Sequence, residues 1–165
     1  MVQLLSVVFQ FGEYVSLGKV ESVLKSAPVV TDICIYGEST KSYVVALVCP
    51  ARPALTAIAG RFGKAELTWS QLCKDKDITG AVLREIINQV RLREREIEPL
   101  PDCCVQGKQS RLEKFELPGA VTLCEEDWTP ESGLTTAAMK LKRKPLQDFY
   151  QADINRMYGS AGTEM

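Results

Sequence analysis

Trp128-Thr-Pro-Glu-Ser-Gly-Leu-Thr-Thr-Ala-Ala-Met-Lys-Leu-Lys-Arg-Lys144 carries four cations in its last five residues and runs straight into a helix-forming tail. Pro145 reads as the first helical position, where its missing N–H costs nothing. Leu146, Phe149, Tyr150, Ile154 and Met157 recur at spacings of three and four, as one buried helical face requires. The pattern predicts a helix beginning near 145. Lys140, Lys142, Arg143 and Lys144 then stand just before a helix N-terminus, which carries partial positive charge and disfavours each cation by roughly 0.3–1 kcal/mol. An anionic ligand would relieve the conflict, because cations and unpaired helix N–H groups together make a phosphate or carboxylate site. A solvated basic turn, a nuclear-import patch and an acidic-lipid patch fit the same residues. Spacing alone does not choose among them.

The order of longer motifs does. Trp128-Thr-Pro-Glu-Ser-Gly-Leu134, Met139-Lys-Leu-Lys-Arg-Lys144, Phe149-Tyr-Gln-Ala-Asp-Ile154 and Arg156-Met-Tyr-Gly159 follow one another, and Gly12-Glu-Tyr-Val-Ser-Leu-Gly-Lys-Val-Glu21 lies near the other end. Together these resemble the C-terminal domain of eukaryotic long-chain fatty-acid–CoA ligases, members of the adenylate-forming superfamily. The resemblance covers most of residues 12–159. It implies a mobile lid domain and a two-step ligation, in which a fatty-acid carboxylate attacks ATP to give acyl-adenylate and pyrophosphate, and coenzyme A then displaces AMP. The superfamily pattern Gly-Lys-Ile-x-Arg aligns with Met139-Lys140-Leu141-Lys142-Arg143, which puts Lys140 on the catalytic position and Met139 where many members have glycine. Lys142, Arg143 and Lys144 would be its supporting basic cluster. A compact ammonium on a flexible stem suits a step in which charge moves onto oxygen. The resemblance also implies that Gly12, Glu13 and Tyr14 lie beside the acyl-adenylate and the coenzyme A tunnel.

What the family has and this chain lacks bounds the expectation. The large adenylation domain, with its phosphate loop, Mg2+ ligands and acyl tunnel, is not in this sequence. ATP and Mg2+ would therefore be held mainly by that domain, the implied partner in cis, and none by this chain alone. The apolar residues 1–11 stand in place of a charged hinge, so the chain looks like a C-terminal domain with a substitute start, inactive by itself. A non-enzymatic binding or regulatory module using the Lys140–Lys144 patch, and a truncated product without separate function, are the alternatives.

Length and composition agree with one domain: 165 residues, 45% hydrophobic and 25% charged. A net charge of −1 argues against a phosphate-backbone binder, so no nucleic-acid partner is expected. With no histidine, zinc-type sites and Ser-His or Cys-His nucleophiles are not expected, and no metal site is assigned. The six cysteines read as packing residues in a reducing compartment. Met1–Phe11 is too short to span a bilayer, which makes the chain alone cytoplasmic and soluble. The resemblance puts a parent enzyme on the cytosolic face of the endoplasmic reticulum or another organelle membrane.

Ser16 reads as the N-cap of a helix bearing Val20, Val23, Leu24 and Ala27. Val29–Tyr36 and Ser42–Val48 read as an antiparallel hairpin around a loop at 37–41. Helices are expected over Ala54–Phe62, from near Trp69, and after Thr79 with Val82, Leu83, Ile86, Ile87 and Val90 as its stripe. Trp69 reads as a packing anchor. Residues 91–106 break the pattern and read as a loop or disordered insertion, and 160–165 as a disordered tail. Ala120–Cys124 supplies a third strand, which gives an α+β domain: a small three-stranded sheet flanked by helices. Glu125, Glu126 and Asp127 receive no catalytic role, because an acidic run before a turn is ordinarily exposed.

Overall fold

The computed structural model describes residues 6–96 and 112–160. Its centre is β4 (Val44–Pro50), all seven residues of which are buried. A strand covered on both faces reads as a continuous apolar run rather than an alternation, and Val44-Val-Ala-Leu-Val-Cys-Pro50 is such a run. β3 (Val30–Gly37) pairs with it antiparallel and β5 (Pro118–Leu123) parallel, giving the order β3-β4-β5. The expected α+β architecture with its three-stranded sheet is present.

Side chains of successive strand residues point to opposite faces, and this divides the core in two. Ile33, Ile35, Val44, Ala46, Val48, Val121 and Leu123 face α1 (Leu17–Leu24), α2 (Arg52–Arg61), α3 (Trp69–Lys74) and α4 (Lys76–Glu96). Cys34, Val45, Leu47 and Cys49 face Trp128, Leu134 and the helices α5 (Arg143–Phe149) and α6 (Gln151–Ser160). The first element among the described residues is β1 (Ser6–Val8), paired antiparallel with β2 (Tyr14–Ser16). Gly12 makes that turn at a φ of 83°, which a residue with a Cβ adopts only at a cost.

Several boundaries differ from the sequence reading. The last helix starts at Arg143, two residues before Pro145, because proline fits anywhere in a first turn whose N–H groups lack intrahelical partners. It breaks at Tyr150 into two helices, and Phe149 is exposed rather than part of the buried face. α4 starts at Lys76, since the Asp75 carboxylate accepts from the Asp77 and Ile78 N–H groups and the Asp75 carbonyl from Thr79 N–H. That is the arrangement of an acidic N-cap. The expected loop or disorder over 91–106 is corrected at its start: residues 91–96 continue α4, whose buried face is Ile78, Val82, Ile86 and Val90. The rest of it, including Cys103 and Cys104, lies outside the described residues. So does the expected tail, except that Ser160 closes α6. Ser16 precedes α1 as expected but makes no side-chain cap bond. Trp69 is the packing anchor expected of it, donating from Nε1 to the Glu125 carbonyl at 2.9 Å with Arg52 stacked over its ring.

Candidate active site: the lysine hairpin

Lys140 emerges from a small hairpin that no local pattern announced. Lys142 N–H donates to the Leu134 carbonyl (2.9 Å), Thr136 N–H to the Lys140 carbonyl (2.8 Å) and Met139 N–H to the Thr136 carbonyl (2.9 Å). Thr135 and Leu141 form the bridge between its arms. This is the bonding of a three-residue loop, Ala137-Ala138-Met139, whose last residue takes the left-handed conformation. Met139 does so, with a φ of 57°. Glycine is the usual occupant of such a position, so Met139 holds a glycine-like backbone. Lys140 N–H is further fixed by the Thr136 hydroxyl at 3.2 Å.

The hairpin is anchored from below. Leu134 is buried and Leu141 packs on the same cluster as Trp128, Leu146 and Tyr150. Trp128 donates from Nε1 to the Tyr150 hydroxyl at 3.5 Å. Thr135 Oγ1 is buried without a hydrogen-bond partner among the described residues, a condition that costs about 1–3 kcal/mol for a hydroxyl. The tip is the opposite: Ala137, Ala138, Met139 and Lys140 are all exposed.

The four cations separate into different jobs. Among the described residues Lys140 and Lys142 make no side-chain hydrogen bond or ion pair. Arg143 donates through Nη2 to Glu21 Oε2 at 2.7 Å and through Nη1 to the Ile35 carbonyl at 2.9 Å. Lys144 pairs with Asp148 at 2.9 Å, and that carboxylate holds the lysine protonated to higher pH than usual. The expected crowd of cations at a helix start is therefore relieved from within for Arg143 and Lys144. Burial pushes the Glu21 carboxyl above its ordinary range, against the nearby Arg143 charge.

Gly12, Glu13 and Tyr14 sit at the β1–β2 turn, with Gly12 and Tyr14 exposed and the Glu13 carbonyl closing the turn on Phe9 N–H at 2.9 Å. No hydrogen bond or ion pair joins them to the lysine hairpin among the described residues. The two groups connect only at one remove, through α1 and its Glu21. A separate groove of about 840 Å³ opens along β5, lined in part by Cys73, Thr122, Cys124, Phe149, Tyr150 and Met157, and none of the candidate residues borders it. Glu125 is bound to Lys74 at 2.8 Å, while Glu126 and Asp127 are exposed.

No family model matches the sequence. Individual relatives do. Long chain acyl-CoA synthetase 8 of Arabidopsis thaliana is 39% identical over 149 residues, 90% of this chain and 18% of that protein. Fatty acyl-CoA synthetase B of Dictyostelium discoideum is 31% identical over 147 residues, covering 89% of this chain and 19% of its own. Long-chain-fatty-acid--CoA ligase 2 of Schizosaccharomyces pombe is 31% identical over 153 residues, 89% and 20% respectively. The chain thus spans about a fifth of the length of these relatives. Among solved structures, the adenylation domain of a Mycobacterium chelonae carboxylate reductase superposes with a TM-score of 0.68 at 21% identity, over 94% of this chain and 19% of that one. The A domain of a Segniliparus rugosus carboxylic acid reductase, solved with AMP and a co-purified carboxylic acid, gives 0.69 at 20% identity, over 94% and 20%. These two likenesses show the fold. Sequence kinship and fold together make this chain a member of the long-chain acyl-CoA synthetase family of adenylate-forming proteins, matching the C-terminal part of its relatives.

Proposed function

We propose that this chain supplies the mobile lid and the catalytic lysine of a long-chain fatty-acid–CoA ligase, and that it is inactive without an adenylation domain. The observation that carries the reading is Lys140: an exposed ammonium without a partner among the described residues, at the mouth of a hairpin whose backbone is fixed by four hydrogen bonds. In the reaction the ammonium bridges the fatty-acid carboxylate and the phosphate or ribose oxygens as acyl-adenylate forms, donating to oxygens that gain charge. It acts as a cation and not as a base. ATP and Mg2+ bind chiefly to the adenylation domain, and the Gly12–Tyr14 turn faces the acyl-adenylate and coenzyme A in the second step. Lys142, which has no partner among the described residues either, supports the site as a second cation; Arg143 and Lys144 do so only through their own partners.

The binding-module alternative loses ground on the same geometry. Two of its four cations are already neutralised by Glu21 and Asp148, and two charges attract an anionic surface weakly at about 1 kcal/mol each. No helix among the described residues is long and apolar enough to cross a membrane. The test is complementation: this chain, added to a long-chain acyl-CoA synthetase truncated before its C-terminal region, restores acyl-CoA formation. A folded chain that restores none refutes function in trans.

A further inference from the structure

β3 is an edge strand, and Ile35 turns both its N–H and its C=O outward. The antiparallel ladder explains why: residues opposite one another alternate between exchanging both bonds with the partner and pointing both groups away. On Ile35 those two free groups are met by one ion pair. Glu21 Oε1 accepts the Ile35 N–H at 2.8 Å, Arg143 Nη1 donates to the Ile35 carbonyl at 2.9 Å, and Arg143 Nη2 closes the triangle on Glu21 Oε2 at 2.7 Å. A carboxylate and a guanidinium take the place a further strand would occupy, none pairing there among the described residues. The two side chains come from opposite layers of the molecule, Glu21 from α1 over one face of the sheet and Arg143 from the first turn of α5 over the other. Both are largely withdrawn from water, at 16% and 17% exposed.

We infer that the Glu21–Arg143 pair is a clamp over the β3 edge that positions Lys140 by tying the lysine hairpin to α1. Arg143 lies three residues beyond Lys140 and directly follows Lys142, whose N–H closes the hairpin. Fixing the guanidinium on Ile35 and Glu21 fixes where the hairpin leaves the sheet. A guanidinium suits this because its planar fork meets carbonyl and carboxylate together, which an ammonium on a flexible stem does not. Arg143 is thus a positioning residue, with both faces of its fork already occupied by protein. Burial costs Glu21 more than the neighbouring charge returns, as expected of a pair kept for placement rather than for stability. The inference deepens the proposed function and rests on it for Lys140, but the clamp itself is testable without any activity.

Two variants separate a clamp from a ligand contact. Glu21→Leu leaves Arg143 in place and removes its anchor; Arg143→Leu removes the guanidinium. Amide hydrogen exchange on the full chain reads the Thr136 and Lys142 N–H groups, with Ile154 as an internal control for global folding. The clamp predicts that each variant speeds exchange at Thr136 and Lys142 by about tenfold or more while Ile154 changes little, as in local opening. The double variant should add nothing beyond either single one, as coupled partners do. Glu21→Gln leaves one acceptor oxygen for two donors, the Ile35 N–H and Arg143, so it should speed exchange at Lys142 by a smaller factor and serves if the leucine variants fail to fold. Unchanged protection at Lys142 in Glu21→Gln, or in either folded leucine variant, would overturn the clamp. In the complementation assay Glu21→Leu should lower the rate as much as Arg143→Leu; a loss confined to Arg143→Leu would mean that Arg143 touches substrate. Failure of the wild-type chain to complement refutes the proposed function and leaves the exchange result to decide the clamp.

Discussion

Replacing Met139 by glycine and by isoleucine tests the geometry that presents Lys140. At a φ of 57° an L-residue carries roughly 1–2 kcal/mol of steric cost. Glycine escapes that cost but adds about 0.5–1 kcal/mol through the greater freedom of its unfolded chain. The Met139 side chain is 58% exposed, so truncation forfeits less than half of the about 1.5–3 kcal/mol that full burial of such a side chain is worth, or roughly 1 kcal/mol. These contributions nearly cancel, and Met139→Gly should stay within about 1 kcal/mol of the wild type. Isoleucine keeps the apolar bulk and adds a β-branch, which sits badly in the left-handed region and should cost about 1–2 kcal/mol more. Urea unfolding of the three proteins with a common slope measures the differences, and a Tm gap of roughly 2–4 °C per kcal/mol should separate the two variants in a chain of this size. Equal stability of the glycine and isoleucine variants would show that position 139 does not demand the left-handed backbone, and the reasoning about the loop would fall with it.

Two further outcomes follow from burial. Cys34, Cys49, Cys73 and Cys124 are buried, and burial chiefly pushes the Cys34 thiol up to about 12 and the Cys73 thiol up to about 11. Since the thiolate is the reactive form, iodoacetamide at pH 8 followed by peptide mass spectrometry should find these four unlabelled in the native protein and labelled in urea; rapid native labelling would contradict the packing described. Glu21 has its folded carboxyl raised above the ordinary 4.5, first by burial. The folded state then holds that proton more tightly than the unfolded chain, so this group favours folding below 4.5 and loses that advantage as pH rises through the raised value. Across that window the wild type should lose stability relative to Glu21→Gln, as read from paired denaturation curves; a gain relative to the variant would refute the burial argument.

The sequence disclosed what depends on local pattern. The 30–50 hairpin was legible because β4 is an unbroken apolar run, and α1, α2 and α4 because their buried residues recur at helical spacing. The end-to-end order of motifs placed the family. Two things that shape the site were not legible. The hairpin at 134–142 has Ala137-Ala138-Met139 at its turn, with no glycine, asparagine or proline to mark it, and its left-handed residue is set by the burial of Leu134 and the packing of Leu141 on either side. The Glu21–Arg143 pair spans 122 residues, so no window of sequence contains both partners. Arg143 therefore read as one more cation in a basic cluster until the sheet edge brought it to Glu21. Phe149 misled for a related reason: it fits the helical period, but the break at Tyr150 turns it outward.

The assignment of Lys140 is tested most directly in the first half-reaction. With the truncated synthetase, ATP and a long-chain fatty acid, pyrophosphate release is measured for this chain and for its Lys140→Ala and Lys142→Ala variants, each shown to be folded by the exchange protection of Ile154. Loss of a donor aimed at developing charge costs about 10²–10³ in rate, so Lys140→Ala should fall by that factor while Lys142→Ala stays within a few-fold of the wild type. Full adenylation by Lys140→Ala, or a large loss confined to Lys142→Ala, would contradict the account.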